Sequence, residues 1–452
     1  MPEPDLTPRP SLPRRALALV LAGSHAGPPA GGQSPNASQR VPTPTVYFGG
    51  KFRVVDFALS NCLNSGIRRV AVVTQYPSHS LARHLHRAWR FLKGDTQEFV
   101  ALLPAQQGSS EPPHHCGTAG AVARIQASVD SHGADFVLVL TGEYIYKMNY
   151  AAMLADHVAK GRACTVACIA LAPEQAGATA TLAVDAQWHI SDWQPAGVGA
   201  SAATVVAALA PNTGQVLANM GIYVFNANYL RAELARDSAD ASSSHDFATD
   251  IVAHAVRTGR AAAHPFALSC VGTAPGAQPY WRDLHTLDAY WGANIALTSH
   301  QPPLNLYDTH WPIRTHQAPL APAKFMHNEA DRRGMALDSL VSGGSIISGL
   351  VLHSVLFSSV RVHSYASVEW SVLLPAVEVG CHARLRRVVV EHGCKIPAGL
   401  VVGEDAVADA RRFLRTEGGV TWVTAEMIAR HASLNSLTAV TTGREASPAG
   451  LP

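Results

Sequence analysis

The sequence predicts an α/β domain with a mostly parallel sheet, followed by a β-helix. Three observations carry this. Short apolar runs alternate with amphipathic stretches over the first two thirds of the chain. A Pro-rich, aperiodic stretch then interrupts them. Beyond it, apolar residues return in a roughly six-residue rhythm on small-residue turns.

The elements follow in order. Residues 1–13 are Pro-rich and polar and read as a loose tail. "ALALVLAG", ending in a Gly-rich loop, reads as a buried parallel strand. Further strand-like runs are "RRVAVVTQY", "DFVLVLTGE" and "CTVACIAL". Between them, "FRVVDFALSNCLNSG" carries an apolar stripe and stops at Gly66, a C-cap residue. "SHSLARHLHRAWRFL" opens on Ser78 as N-cap. "GTAGAVARIQASV" and "NYAAMLADHVAKG" complete the helices. Ligands of such sheets sit at the carboxyl ends of strands, so "AGSHAGPP" and "TGEYIYK" lie at the rim of a site. The domain is expected over 14–299, a linker over 300–335, a β-helix over 336–432 and a tail over 433–452. In the β-helix, Val341, Ile347, Val351, Val355, Val360, Val368, Val372 and Val377 mark the rhythm.

Composition narrows the classes. With 452 residues, 47% of them apolar, the chain can bury a sizeable core. Arg and Lys number 35 against 33 acidic residues, which gives no electrostatic case for nucleic acid or membrane. No uncharged apolar stretch reaches the length of a membrane span. The 22 histidines are scattered, without HExxH or zinc spacing, and the seven cysteines form no CxxC pair. Cys164 and Cys168 read as buried small hydrophobes in a reducing, cytoplasmic setting. A signal-peptide reading of Arg14 to Ala26 has an h-region at the bottom of its range, and cleavage would remove a strand that the sheet needs.

Longer motifs carry a resemblance. "VYFGGKFRVVDFALSNCLNSGIRRVAVVTQYPSHSLARHLHRAW", "NMGIYVFNANYL", "PYWRDLHTLDAYWGAN", "SLVSGGSIISG" and "DARRFLRTEGGV", with "LLPAQQ", "GTAGAV" and "YDTHWPIRT", resemble the bacterial ADP-glucose pyrophosphorylase (glucose-1-phosphate adenylyltransferase) family. The likeness runs from about Arg15 to Ile428. It implies a Rossmann-like nucleotidyltransferase domain, a left-handed β-helix and a homotetramer. It also implies a magnesium-dependent reaction of ATP with glucose 1-phosphate, giving ADP-glucose and pyrophosphate for glycogen synthesis.

The resemblance also marks departures. The family loop LAGG-x-GTRL cradles the triphosphate. Here Ala22 and Gly23 match, but Pro28 stands in place of the Arg and Pro29 follows it. Two prolines remove N–H donors and fix φ. Losing one preorganised donor lowers a rate by about 10²–10³. The family's magnesium-binding Asp corresponds to Glu143, one methylene longer, while the second carboxylate is kept as Asp283. Both are the expected catalytic and metal residues. Gln106, Gln107, Gly117 and Thr118 are kept on the nucleotide side. On the sugar-phosphate side the corresponding positions are His115, Ala180, Trp193, Gln194, Asn219 and Asp246, of which the resemblance keeps only Asp246. The family's Glu-Lys pair is thereby Trp193-Gln194. Asp283 could alternatively be a helix N-cap, and Glu143 a surface residue at a strand end.

Arg40, Lys51 and Arg53 remain of the family's basic effector segment, and His392 stands at a β-helix arginine position. Packing motifs are kept and phosphate-handling residues replaced. The expectation is a catalytically impaired regulatory or structural subunit, homotetrameric or mixed with an active paralogue. The alternatives are an active adenylyltransferase using Glu143 and Asp283, and a sugar-phosphate or nucleotide sensor.

Overall fold

The computed structural model describes residues 11–22, 46–74, 78–92, 98–104, 117–176, 179–196, 214–274, 276–329 and 331–430. Ala16–Ala22 is buried at every position, as a central parallel strand must be. It pairs in parallel with Arg69–Thr74 (Val20 opposite Val72) and with Phe136–Thr141 (Val20 opposite Leu140). Phe99–Pro104 extends the sheet beyond Arg69–Thr74, again in parallel. On the other side the long strand Val216–Asn226 runs antiparallel to Phe136–Thr141, Cys164–Leu171 and Thr181–Val184. Ile190–Gln194 pairs antiparallel with Thr181–Val184, and Ala261–Pro265 pairs in parallel with Cys164–Leu171. The sheet is therefore mostly parallel, with an antiparallel flank.

Local signals set the helices. Val54–Asn64 starts in a capping box, in which the Arg53 N–H donates to Asp56 Oδ2 at 2.9 Å. Past its end Gly66 takes φ +79°, a left-handed conformation that glycine adopts without strain. Ser78 Oγ accepts from Leu81 N at the start of His79–Ala88. Asn149 caps Tyr150–Lys160, which closes on left-handed Gly161. Cys164 and Cys168 lie inside the sheet, and burial pushes both thiols up, Cys168 to about 12.

The C-terminal part is a parallel β-helix of three faces. One face stacks Lys324–Phe325, Ile346–Ile347, Arg361–Val362, Glu378–Val379 and Lys395–Ile396. A second runs from Met335–Leu337 to Val401–Val402, and a third from Leu340–Val341 to Thr421–Val423. All the rhythm positions except half-buried Val341 are fully buried in it. Its corners take left-handed conformations, with His353, Trp370 and Arg387 at φ 44°, 49° and 54°.

The two parts share a core. Phe48, Phe52 and Phe57 pack with Leu287 and Tyr290 of the helix Leu287–Ala296 and with Val355, Val372 and Val389 of the β-helix. The Pro-rich stretch between them is pinned to the sheet domain. Lys147 Nζ lies 3.0 Å from Asp308 Oδ2, Asn64 Nδ2 donates to the Pro312 carbonyl, and Arg314 N donates to Ser60 Oγ. Among the described residues no helix is long and apolar enough to cross a membrane.

Candidate functional site

The site forms where the central strands end. Gly142 N donates to the Leu21 carbonyl at 2.9 Å, which ties the turn after Phe136–Thr141 to the end of the first strand. Tyr144–Tyr146 then pairs antiparallel with Trp281–Asp283, Tyr144 opposite Asp283. This short ribbon carries Glu143 and Asp283 to one end. Glu143 is 1% exposed, so it is no surface residue. Asp283 lies in the strand; the N-cap of the following helix is Thr286, whose Oγ1 accepts from Ala289 N.

His285 stands between the two carboxylates. Its Nε2 is 2.8 Å from Glu143 Oε2, and its Nδ1 contacts Asp283 Oδ1. His285 N also donates to Asp283 Oδ1, at 2.9 Å. Burial alone would lower the imidazole pKa, but the bonds to Asp283 and Glu143 outweigh it and raise it to about 10. The Tyr144 hydroxyl is pushed up by burial and by the charges of Asp283 and Glu143. Glu143 and Asp283 are the carboxylates in reach of a metal, yet the imidazole takes an oxygen of each, so the pair does not fit magnesium as it stands. Among the described residues no group of three or more His, Cys, Asp or Glu is arranged to hold a metal ion.

A cavity of about 830 Å³ opens beside this triad. The structure brings to its wall Thr118, Ala180, Trp193, Asn219, Asp246 and Asp283 from the expected set. Gln194 is not in the lining, although it belongs to the same strand as Trp193. Ala22 and Gly117 are adjacent to the lining residues Leu21 and Thr118. Gly23, Gln106, Gln107, His115 and Arg40, with the Pro28-Pro29 turn, lie outside the described residues.

The polar lining groups are tied to one another. Thr118 Oγ1 donates to Asp246 Oδ2 at 2.8 Å, and Asp246 Oδ1 accepts from Ala248 N and Thr249 N. Asn219 Nδ2 donates to the Tyr223 hydroxyl, and its Oδ1 accepts from Gly221 N. The pairing of Val216–Asn226 with Cys164–Leu171 shifts between Asn219 and Tyr223. There Gly221 takes φ +69°, where a Cβ would meet Thr141 Oγ1 at 2.6 Å. The described lining holds Asp246, Asp283 and Glu417 but no Lys or Arg. Glu417 and His285 escaped the sequence reading. The one signal for His285 was its place two residues after Asp283 in "WRDLH".

A second cavity, of about 840 Å³, lies between the sheet domain and the β-helix. Lys51, Arg53 and His392 line it as the sequence grouped them, joined by Arg83, Arg87 and His316. Arg53 Nη1 donates to Ser80 Oγ at 3.0 Å, and its guanidinium lies over the Tyr47 ring. Burial, then the nearby Arg87 and His84, lowers the His316 pKa. The Arg83 and Arg87 spacing on a helix face was the readable signal for them.

Known proteins resemble this chain throughout. A nucleotidyl transferase family model matches residues 36–300, and a GlmU-like C-terminal hexapeptide model matches 321–423. The latter fits the left-handed β-helix expected of the C-terminal part. A protein of Albidiferax ferrireducens named glucose-1-phosphate adenylyltransferase is 50% identical over 418 residues, covering 92% of this chain and 96% of that protein.

Proposed function

The chain belongs to the glucose-1-phosphate adenylyltransferase family, and from that premise we propose that it is a catalytically impaired member serving glycogen synthesis as a regulatory or structural subunit. In this reading it assembles as a homotetramer or in a mixed tetramer with an active paralogue, in the cytoplasm. One observation carries the proposal: the described wall of the central cavity offers three carboxylates and no Lys or Arg, and its one imidazole, His285, is held by Glu143 and Asp283. ATP and glucose 1-phosphate are polyanions. Their transfer needs preorganised positive charge where the phosphates meet, and like charge repels them. Pro28 and Pro29 in the opening loop point the same way, because they remove backbone donors.

Glu143 and Asp283 are the side chains that would hold magnesium, a Lewis acid at phosphate oxygens when bound. The cavity lined by Lys51, Arg53, Arg83 and Arg87 suits an anionic effector, so regulation is assigned there. Arg40 belongs to the same sequence segment.

The second reading is an active adenylyltransferase that makes ADP-glucose and pyrophosphate. Two facts favour it: 50% identity over 92% of the chain to a protein of that name, and the two carboxylates brought together on one imidazole beside the cleft. Pyrophosphate release by the purified chain from ATP, glucose 1-phosphate and magnesium decides between them. The proposal expects turnover at least about a hundredfold below that of the Albidiferax protein. Comparable turnover overturns it.

A further inference from the structure

The clearest disagreement between this chain and a magnesium-dependent transferase is the position of one ring. The imidazole of His285 spans Glu143 and Asp283, with one ring nitrogen on a carboxylate oxygen of each. A cation held by the two carboxylates would have to compete with the ring for the space and the charge between them.

The backbone fixes the ring there. His285 follows a ribbon in which Asp283 pairs with Tyr144, the residue after Glu143. Its own N–H donates to Asp283 Oδ1, closing a tight turn. Thr286 then caps the next helix, and Leu287 and Tyr290 anchor that helix in the core shared with the β-helix. The Tyr144 ring stands at 70° to the imidazole, 5.9 Å away. The ring is thus held by its neighbours on both sides in sequence and by Tyr144.

Chemistry points the same way. A buried carboxylate is costly unless paired, and Glu143 is 1% exposed. The imidazole bonds to it inside the chain. Magnesium prefers oxygen ligands in near-ideal octahedral order and gives up water reluctantly. It is therefore a poor competitor for two oxygens already engaged by a covalently tethered group.

We propose that His285 is a built-in occupant of the place between Glu143 and Asp283, closing that pair to divalent cations. The inference rests on the family reading of the cleft. Titration calorimetry of the full-length protein with manganese chloride tests it. His285→Ala should bind manganese about tenfold or more tightly than wild type, because two charge-assisted bonds no longer compete. Adding Glu143→Gln to that variant should remove the gained site. His285→Gln, which keeps a polar side chain, should gain in the same direction and covers the case in which the alanine variant does not fold. Wild-type binding as tight as either variant overturns the proposal. Weaker binding by the variants also overturns it, since His285 would then be a ligand. Pyrophosphate release is followed in parallel. Ordinary magnesium-dependent turnover would sink both readings, whereas low turnover with wild-type manganese binding as tight as the variants' would sink the role of His285 and leave the impaired-subunit reading standing.

Discussion

Thr118 and Asp246 are joined by a 2.8 Å hydrogen bond that clips the starts of two helices, Thr118–Arg124 and Phe247–Val252, together beside the cleft. Phe247 N donates back to Thr118 Oγ1, so the hydroxyl is used in both senses. Beside it, a Cβ on Gly117 would lie 2.3 Å from the His245 carbonyl oxygen. No side chain fits without parting the backbones. Gly117→Ala should therefore lower stability by about 1–3 kcal/mol, as overpacking does. Asp246→Ala, which strips the cap from Ala248 N and Thr249 N, should lower it by about 1 kcal/mol. Urea unfolding of both variants checks the order.

His157 ties the helix Tyr150–Lys160 to the sheet, through Nδ1 to Thr165 Oγ1 at 2.7 Å and Nε2 to Asn226 Oδ1 at 3.1 Å. Burial lowers its pKa below the usual value and outweighs the bond to Asn226 and the charge of Asp156. The unfolded chain thus binds the proton more readily than the fold. Its contribution is complete above the unfolded value of about 6.5 and is lost as pH falls from there through the lower folded value. The urea midpoint should drop between about pH 7 and pH 5. The drop should be shallower in His157→Gln, which cannot take up the proton.

Much of this architecture was legible in the residues, and the exceptions share a cause. Ala16–Ala22 and the rhythm from Ile347 to Val377 depend on burial alone, which periodicity reports. Glu143 and Asp283 were found through whole motifs. His285 was not, because its place depends on a ribbon register and a turn that no spacing encodes. The meeting of Arg83 and Arg87 with His392 across the domain boundary is likewise tertiary. Gln194 illustrates the converse: its neighbour Trp193 reaches the cavity and it does not.

Lys51, Arg53, Arg83 and Arg87 face one space from two segments of chain. Bound anions accept charge-assisted bonds from such groups, each stronger than a neutral one. Replacing Arg83 and Arg87 together by alanine should weaken inorganic phosphate binding by about tenfold or more. Raising the salt concentration should weaken it further in wild type than in the variant. Calorimetric titration in two buffers checks both, and unchanged affinity would place anions elsewhere.

Lys147 and Asp308 give an asymmetry that a surface ion pair would not. The Lys147 side chain is only 3% exposed, and its Nζ bonds Asp308 Oδ2 and the Asn305 carbonyl. Burial pulls its pKa down against the pull of Asp308. Asp308 has other donors, since its Oδ1 accepts from His310 N and Trp311 N. Removing the acid therefore leaves a buried ammonium with the Asn305 carbonyl but no counter-charge, whereas removing the base leaves a carboxylate that still holds its turn. Asp308→Ala should destabilise by about 3–5 kcal/mol, the range for breaking a buried pair. Lys147→Met should lose less, because its chain keeps the packing without the charge. Equal losses in urea unfolding would mean that the stretch around Asp308 is a tether rather than part of the folded wall.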